Sequence, residues 1–405
     1  MKVLWFNVNI PSGYQEQGRV VNGWQDSLEN IIKLNTDVEL VIAFESDDCN
    51  AEVKCVDRVK YIPMVLKYSL WERVKSEWTW NVNALKLEDA MQKIVASEKP
   101  DLIHVFGVEW PFGRIAKFTD VPVVVHIMGS IVPYLKAYYP PGYSYKDAQK
   151  IIPWWNLKRK LRRFRKECKL QSWEKCERVV WNRVQYYMGR TQWDADLSNE
   201  MHPGRIYFHV DEALRPAILQ AGKEWLNEDH GGKLRLVTTG CSSFWKGPDM
   251  LIRVAQVLRS RNVDFEWLVA GRMYSEVQEL VEKKEKTTFA ENNVAILGFV
   301  EPERLAELLA TSTIYVHTAY IENSPNSICE AQCLGVPVVS TNVGGISTLV
   351  ANGEDGILVP PNEPEQMADA IMALAQNRAL METYSKNARA KALTRHDSKN
   401  IESDG

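Results

Sequence analysis

Residues 312–358 read STIYVHTAYIENSPNSICEAQCLGVPVVSTNVGGISTLVANGEDGIL and decide the fold of this chain. The short apolar run 314–316 is rich in residues that favour strands. Apolar residues then recur at helical spacing over 325–334, and a second apolar run follows at 336–340. The stretch therefore predicts a strand–helix–strand unit. Its second strand leads into Gly344-Gly345, where we expect the backbone to approach a ligand closely.

The start of the predicted helix is suited to binding an anion. Ser324 is expected to be the N-cap, and the backbone amides near Asn326 and Ser327 have no partner within the helix. The positive end of the helix dipole lies there as well, so a phosphate group would be stabilised. Glu330, one turn further in, and Glu322, in the preceding loop, can accept hydrogen bonds from sugar hydroxyls.

The two glutamates also carry a resemblance to a known family. Seven residues separate Glu322 from Glu330 within IENSPNSICEAQCLGVPVVSTNVGG, and GEDGILV follows at 353–359. The pattern is similar to the E-x7-E region of the retaining nucleotide-sugar glycosyltransferases of family four. The segment YFHVDEALR at 207–215 resembles bacterial polysaccharide-type members of that family. An ordinary phosphate-binding unit of an unrelated enzyme is the alternative.

The composition bounds the class of protein. A chain of 405 residues is long enough for two domains, and a net charge of −3 gives no argument for a nucleic-acid partner. The seven cysteines are scattered, odd in number and contain no CxxC pair, so we expect a reducing cytoplasm rather than a disulfide framework or a zinc site. No apolar run is long enough to span a bilayer, and MKVLWFNVNI, at the start, is not a secretory signal.

Strand and helix patterns alternate along both halves of the chain, which predicts an α/β fold with doubly wound parallel sheets. The resemblance implies the GT-B fold, in which two Rossmann-like domains face each other across a cleft. We expect an acceptor-side domain over 1–205, a nucleotide-sugar domain over 206–380, and a helical segment over 381–405 that crosses back to the first domain. Predicted strands lie at 2–9, 38–44, 101–106, 121–127, 184–188, 234–239, 267–270 and 294–297, with 184–188 the last of the first domain.

Lys246 lies in a loop between a predicted strand and a predicted helix, where an ammonium group could neutralise a diphosphate leaving group. The family has a matching Lys-Gly, but it usually has an arginine where this chain has Cys241. Arg272 is the expected substitute. The resemblance implies that Lys246 and Glu322 serve catalysis, with Glu322 on the hydroxyls of the transferred sugar. Other expected donor contacts are Glu330 to the ribose, Gly240, Ser242, Asn326 and Ser327 to the phosphates, and Gly298 and Phe299 to the base.

The first half of the chain supplies fewer candidates. Gly13 follows the first predicted strand, in the loop 11–23, and is expected near the donor. His126 ends another strand and resembles the histidine of the family that contacts the transferred sugar. The resemblance thus implies that His126 is a third catalytic residue, whereas a lone histidine is often structural. Asp194-Ala195-Asp196 is a DxD string. We interpret it as acidic residues at the start of a helix, which the helix dipole favours, rather than as a metal site. We therefore expect no metal, and no cofactor besides the nucleotide-sugar donor.

Residues 157–168 predict a basic amphipathic helix. Seven Lys or Arg side chains surround an apolar stripe of Leu157, Leu161, Phe164 and Cys168. With Trp154 and Trp155 as interfacial anchors, residues 154–168 predict peripheral contact with an anionic membrane. The alternative is a solvated surface helix.

These observations and the resemblance together predict a retaining hexosyltransferase without a metal. It would move a sugar from a nucleotide-diphosphate sugar to a glycan or lipid-linked acceptor, in surface polysaccharide synthesis at the inner face of the cell membrane. One alternative is another GT-B enzyme, such as a nucleotide-sugar epimerase or a phosphorylase. Another is a catalytically inactive sugar-nucleotide-binding subunit, which the replacement at Cys241 would favour.

Overall fold

The computed structural model describes residues 1–15, 23–35, 37–226, 228 and 230–404. Residues 16–22 of the predicted loop 11–23 lie outside the described residues. The chain forms two compact units. Unit 1 comprises Met1–Leu135, Asn156–Ala213 and Ser398–Gly405, and unit 2 comprises Lys136–Trp155 and Leu214–Asp397. These units differ from the predicted ranges, because 136–155 and 381–397 are grouped with unit 2 and 206–213 with unit 1.

Unit 1 is built on an eight-stranded sheet. Its strands are β1 (Lys2–Asn7), β2 (Glu39–Ser46), β3 (Lys54–Val56), β4 (Val59–Val65), β5 (Leu102–Phe106), β6 (Val123–His126), β7 (Tyr186–Gly189) and β8 (Ile206–His209). Their order is β3-β4-β2-β1-β5-β6-β7-β8, and all neighbours are parallel except β3 and β4. The central strands are apolar on both faces because helices cover both sides.

Unit 2 is built on a six-stranded parallel sheet. Its strands are β9 (Leu234–Thr239), β10 (Phe265–Ala270), β11 (Val294–Gly298), β12 (Ile314–His317), β13 (Val338–Thr341) and β14 (Ile357–Val359). Their order is β11-β10-β9-β12-β13-β14, so the direction of winding reverses between β9 and β12. Loops that follow the strands on either side of such a reversal form the usual ligand site of a doubly wound sheet.

The helices, numbered along the whole chain, fall into the two units. Unit 1 contains α1 (Trp24–Asn35), α2 (Leu70–Ser76), α3 (Asn81–Glu98), α4 (Ile131–Lys136), α6 (Leu157–Trp181), α7 (Gln192–Met201) and α16 (Ser398–Asp404). Unit 2 contains α5 (Tyr145–Lys150), α8 (Pro216–Leu219), α9 (Pro248–Ser260), α10 (Ser275–Glu285), α11 (Pro302–Ala310), α12 (Asn326–Leu334), α13 (Ile346–Leu349), α14 (Pro364–Ala375) and α15 (Arg378–Arg395). In the described part of the chain, no helix has both the length and the apolar composition needed to cross a membrane.

The two parallel α/β units confirm the predicted fold class, and three details of the prediction were wrong. The strand at 184–188, seen as β7, is not the last of its sheet, because β8 lies beside it at the edge. The apolar run of β8, at 206–208, is only three residues long and its side chains are mostly exposed, so local pattern alone does not identify the strand. The basic helix does not end near residue 168 but continues to Trp181, where buried Cys176, Val180 and Trp181 extend its apolar face.

The helix of the opening stretch, α12, begins one residue later than predicted. Pro325 rather than Ser324 is the N-cap, and its carbonyl accepts hydrogen bonds from the N–H groups of Ile328 and Cys329. Proline suits this position because an N-cap residue contributes its carbonyl to the helix and needs no N–H of its own. Gly335 ends the helix with φ of 78°, as predicted.

The DxD string forms the start of α7. Thr191 and Asp194 make a capping box, in which the Asp194 carboxylate accepts hydrogen bonds from the backbone N–H groups of Arg190 and Thr191, at 2.9 and 3.0 Å. Asp194 is fully buried, whereas Asp196 is exposed and accepts only a side-chain bond from Gln192. The two carboxylates therefore have different environments, and the Asp194 carboxylate caps the N-terminus of α7.

We expect Asp194→Ala to weaken α7 and Asp196→Ala to leave it unchanged. Loss of the cap costs about 1–2 kcal/mol, whereas an exposed substitution changes stability by about 0.5 kcal/mol or less. Hydrogen exchange of the α7 amides measures the difference. Equal protection in the two variants would contradict the assignment of Asp194 to the cap.

Candidate active site

The loops that follow β9 and β12 meet at the point where the winding of the unit 2 sheet reverses. Lys246 ends a short 3-10 helix in the first loop, and Glu322 lies in the second. The Lys246 Nζ atom lies 2.5 Å from Glu322 Oε1, and His317 Nε2 lies 3.1 Å from the same oxygen. His317 is the last residue of β12, so the sheet itself holds this partner. Two residues predicted to serve catalysis thus form one ion pair.

The Glu322 carboxylate is buried but ionised. Burial by itself would raise the pKa of this carboxyl, but the charge of Lys246 and the hydrogen bond from His317 outweigh it and lower the pKa to about 2. Its side chain is 5% exposed and that of Lys246 is 28% exposed, so the pair opens to solvent on the lysine side. A buried negative charge beside a partly exposed ammonium group is the result.

The paired glycines after β13 support the backbone of Glu322. A Cβ atom at Gly344 would lie 1.8 Å from the Glu322 carbonyl oxygen, and φ of +54° disfavours other residues there. The Gly345 N–H donates to the same carbonyl at 3.1 Å. We predicted that the backbone at these glycines approaches a ligand closely. In the structure, Gly344 instead approaches the loop that carries Glu322.

A cavity of about 340 Å³ lies beside this pair, at the N-terminus of α12. Six of the predicted residues line it, namely Gly240, Lys246, Phe299, Asn326, Ser327 and Glu330. Three others, Ser242, Arg272 and Gly298, are not among its lining residues, although Gly271 and Phe299, next to two of them, are. The remaining lining residues are Arg215, Thr239, Ala270, Gly271, Val300, Leu305 and Pro325. The structure thus brings most of the predicted donor contacts together.

Arg215 is a cavity residue that sequence reasoning missed. Its Nε atom donates to Glu330 Oε1 at 2.7 Å, and the Glu330 side chain is only 3% exposed. Arg215 ends the YFHVDEALR segment, which the family resemblance had marked without giving its role. Arg215 is the residue immediately before α8. Nothing in the local sequence pattern indicates that its side chain reaches Glu330 in α12. Arg215, rather than Arg272, is the second cation that lines the cavity.

Cys241, which replaces the arginine usual in the family, points away from the cavity. The side chain is 1% exposed and packs in the core of unit 2 with Leu236 and Phe244. Burial raises the pKa of its thiol to about 12. Position 241 therefore contributes packing, and the positive charge near the helix terminus comes from Lys246 and Arg215.

Two predicted site residues, His126 and Gly13, lie in unit 1 and are not among the residues that line the cavity. His126 ends β6 and is 1% exposed, with its ring 5.0 Å from Trp24 and 5.9 Å from His104. Burial, followed by Arg190 and His104, holds the pKa of His126 well below its usual value, so the ring is neutral. Gly13 packs against Tyr61, because a Cβ atom there would lie 2.1 Å from the tyrosine hydroxyl oxygen. The small size of Gly13 thus has a packing explanation.

We expect Lys246→Met to raise the pKa of Glu322 above its usual range of about 4.3, because burial then outweighs the remaining bond to His317. In the wild type the lowered pKa means that the pair stabilises the fold above about pH 4 and loses this effect as the pH falls towards 2. A carbon-13 NMR titration of the glutamate carboxyls measures the change. Lys284→Met, which removes a partner of Asp147 in the same unit, is the control. A Glu322 pKa that stays near 2 in Lys246→Met would contradict the assignment.

Comparisons with known proteins identify similar sequences. Residues 227–391 match the family model described as glycosyl transferases group 1. An uncharacterised glycosyltransferase of Methanocaldococcus jannaschii, MJ1069, is 27% identical over 165 residues, which are 40% of this chain and 42% of that protein. The chain thus spans about two fifths of the length of the curated relatives it matches.

Solved structures match over the whole chain. Sucrose-phosphate synthase from Thermosynechococcus elongatus superposes with a TM-score of 0.71 at 16% identity, over 99% of this chain and 96% of that one. HepE of Anabaena, solved in complex with UDP and glucose, gives a TM-score of 0.62 at 16% identity, over 100% and 97% of the two chains. The chain therefore has the GT-B fold of glycosyltransferases, and its residues 227–391, which contain Lys246, Glu322 and Glu330, match the group 1 glycosyl transferases.

Proposed function

We propose that this protein is a retaining hexosyltransferase, which moves a sugar from a nucleotide-diphosphate sugar to a hydroxyl of a glycan or lipid-linked acceptor. The observation that carries the proposal is the Lys246–Glu322 ion pair, which adjoins the cavity at the N-terminus of α12. A cation and free helix amides suit a diphosphate, and an ionised carboxylate suits the sugar attached to it. The group 1 match over these residues supports the same reaction.

Each part of the donor has a suitable partner in unit 2. The diphosphate would lie at the α12 N-terminus, near the amides of Asn326 and Ser327 and the charges of Lys246 and Arg215. The ribose hydroxyls would bond to Glu330. Phe299, which is 64% exposed and lines the cavity, would pack against the base. We propose uridine as the base, since HepE was solved with UDP.

The chemistry that these residues support is a front-face transfer. The bond between the sugar anomeric carbon and the diphosphate oxygen breaks, and the acceptor oxygen forms its bond on the same face. The departing diphosphate takes the acceptor proton. Lys246 stabilises the negative charge on the diphosphate, and Glu322 holds the hydroxyls of the sugar as it becomes oxocarbenium-like. Lys246 and Arg215 supply the positive charge, so we propose that the transfer needs no metal, and excess EDTA should leave it unchanged.

We expect Glu322→Gln and Lys246→Ala to lower turnover by about 100-fold or more, the usual effect of removing a group that stabilises the transition state. Glu330→Gln should instead raise the KM for the donor. Transfer of radiolabelled sugar from UDP-sugars to a panel of glycans and lipid-linked saccharides measures both effects. Glu354→Gln is the matched control, because its side chain is 73% exposed on the same unit. Wild-type turnover in both catalytic-site variants would exclude the mechanism.

The same assay separates the alternatives. An epimerase would alter the sugar of the donor when no acceptor is present, and a phosphorylase would need inorganic phosphate. An inactive sugar-nucleotide-binding subunit would be stabilised by the donor in a thermal-shift experiment but would neither hydrolyse nor transfer it. Arg215, which lines the cavity, supplies a second cation there, and this weighs against the inactive subunit that the replacement at Cys241 favours.

We further propose that residues 154–168 contact an anionic membrane at its cytoplasmic face, where lipid-linked acceptors of surface polysaccharides would be reached. Five of these residues expose large apolar side chains, namely Trp154, Trp155, Leu157, Leu161 and Phe164, with exposures of 43–77%. Exposed basic residues on α6 complement an anionic surface, although Arg163, expected among them, is buried. Elsewhere in unit 1, Leu70 and Trp71 of α2 are 81% and 84% exposed.

We expect the double variant Arg162→Glu/Lys166→Glu to reduce binding to vesicles that contain anionic lipid by about 30-fold or more, since each basic residue near such a surface contributes about 1 kcal/mol. Separately, Leu157→Ser/Leu161→Ser should reduce the same binding, because it removes exposed apolar side chains of α6. Vesicle co-sedimentation measures binding, and neutral vesicles should bind none of the proteins. Arg304→Glu, a charge reversal at an exposed residue of unit 2, is the control. Unchanged binding of both double variants would mean that α6 is a solvated helix.

A further inference from the structure

Residues 136–155, which we call the aromatic arm, belong to unit 2 although the chain on either side of them belongs to unit 1. The chain leaves unit 1 after Leu135 and returns to it at Asn156. The arm reads KAYYPPGYSYKDAQKIIPWW and contains four tyrosines and two tryptophans. None of its residues lines the described cavity, so its role must be sought in its other contacts within unit 2.

The second half of the arm is anchored to α10 and to the core of unit 2. The Tyr143 hydroxyl donates to Glu285 Oε1 at 2.6 Å. Lys284, the preceding residue of α10, donates to Asp147 Oδ2 at 3.0 Å. Three of the residues at 148–152 are buried in the main apolar cluster of unit 2. The arm therefore has a fixed position in this unit.

The first half of the arm covers the short 3-10 helix Phe244–Lys246. The ring of Tyr138 lies 5.4 Å from that of Trp245, and the ring of Tyr139 lies 5.5 Å from that of Phe244. The two tyrosine rings also contact each other edge to face, at 4.9 Å. Aromatic pairs at such distances are favourable beyond their apolar burial. The arm therefore stabilises the 3-10 helix in its observed position.

A turn in the arm directs a third tyrosine to the same 3-10 helix. The Pro140 carbonyl accepts a hydrogen bond from the Tyr143 N–H at 2.9 Å, and Gly142 has φ of +82°, which favours glycine. The Tyr143 ring consequently lies 6.5 Å from that of Phe244. Phe244, which is 3% exposed, is thus contacted by rings from both sides of the turn.

The backbone of the 3-10 helix is held by a different element, the loop after β12. The Tyr320 N–H donates to the Trp245 carbonyl at 2.7 Å, and Thr318 Oγ1 donates to the Lys246 carbonyl at 3.1 Å. A Cβ atom at Gly247 would lie 1.9 Å from the Thr318 carbonyl oxygen, so the two backbones are in close contact. The arm supplies the ring contacts, and the loop after β12 supplies the hydrogen bonds.

The position of the 3-10 helix decides whether Lys246 can pair with Glu322. A single 3-10 turn has little stability of its own, so tertiary contacts must hold it. The lysine side chain is flexible, so the region that its ammonium group can reach is set by the backbone. The attraction between the two charges falls as their separation grows from the observed 2.5 Å.

From these contacts we infer that the aromatic arm positions Lys246 against Glu322, through the rings of Tyr138 and Tyr139 on the 3-10 helix. Both tyrosines are positioning residues, because they contact the two residues that precede Lys246 and do not line the cavity. The consequence for sugar transfer rests on the proposed function, whereas the consequence for the ion pair does not.

The test is the pKa of Glu322 in the full-length protein, measured by carbon-13 NMR titration. In Tyr138→Ala/Tyr139→Ala the 3-10 helix loses its ring contacts and Lys246 is displaced, so this pKa should rise by about one unit or more from about 2. Tyr138→Phe/Tyr139→Phe keeps both rings and should leave the pKa unchanged. A loss of stability alone would not move it, because the titration follows the folded protein.

Tyr145→Ala is the matched control and should also leave the Glu322 pKa unchanged. It removes a tyrosine of the same arm, which contacts Gln149 in its own helix, α5. If the double alanine variant does not fold, Tyr138→Ala replaces it with the same expectation. An unchanged Glu322 pKa in the alanine variant, or an equal rise in the phenylalanine variant or in Tyr145→Ala, would overturn the inference.

Turnover separates this inference from the proposed function. The double alanine variant should lower kcat by about tenfold or more and leave the KM for the acceptor unchanged, because a displaced cation stabilises the departing diphosphate less. A raised Glu322 pKa with an unchanged kcat would support the role of the arm and count against the proposed role of Lys246 alone.

Discussion

The Lys246–Glu322 ion pair is the interaction on which the candidate site depends. A buried carboxylate is costly unless a charge and hydrogen bonds compensate it. Here Lys246 comes from the loop after β9 and His317 from the end of β12, so the pair forms only when the two strands are adjacent. The reversal of winding between these strands thus brings Lys246 and His317 to the Glu322 carboxylate. Gly344 then holds the Glu322 backbone, because no larger residue fits against its carbonyl.

In both units, polar groups lie at the strand ends beside the reversal of winding, but the two sets of groups differ in charge. In unit 2, the groups beside the winding reversal are charged and paired, as Lys246 with Glu322 and Arg215 with Glu330. Beside the corresponding point of unit 1, Glu109 and His126 are neutral and retain unpartnered atoms among the described residues. The two points of reversal therefore differ in their electrostatics.

Much of this fold could be predicted from local pattern. The apolar runs of β1, β5, β9, β10 and β12 were recognised because buried parallel strands have few polar residues. The edge strand β8 was missed because its apolar run, at 206–208, is only three residues long. The antiparallel strand β3 was missed because it is equally short and all three of its residues are exposed. The N-cap at Pro325 was displaced by one residue, which is the usual precision of helix ends.

The sequence by itself determined the α/β class, the strand–helix–strand unit around α12 and the identity of Lys246, Glu322 and Glu330 as site candidates. The residues of such motifs are close together in the sequence, so their spacing can be recognised without a structure. Only the tertiary structure decided which residues meet. Arg215 reaches Glu330 across 115 positions of sequence, Cys241 turns into the core, and Phe106 lies beside His126 because β5 and β6 are neighbours. Such contacts depend on strand order, and no local pattern records that order.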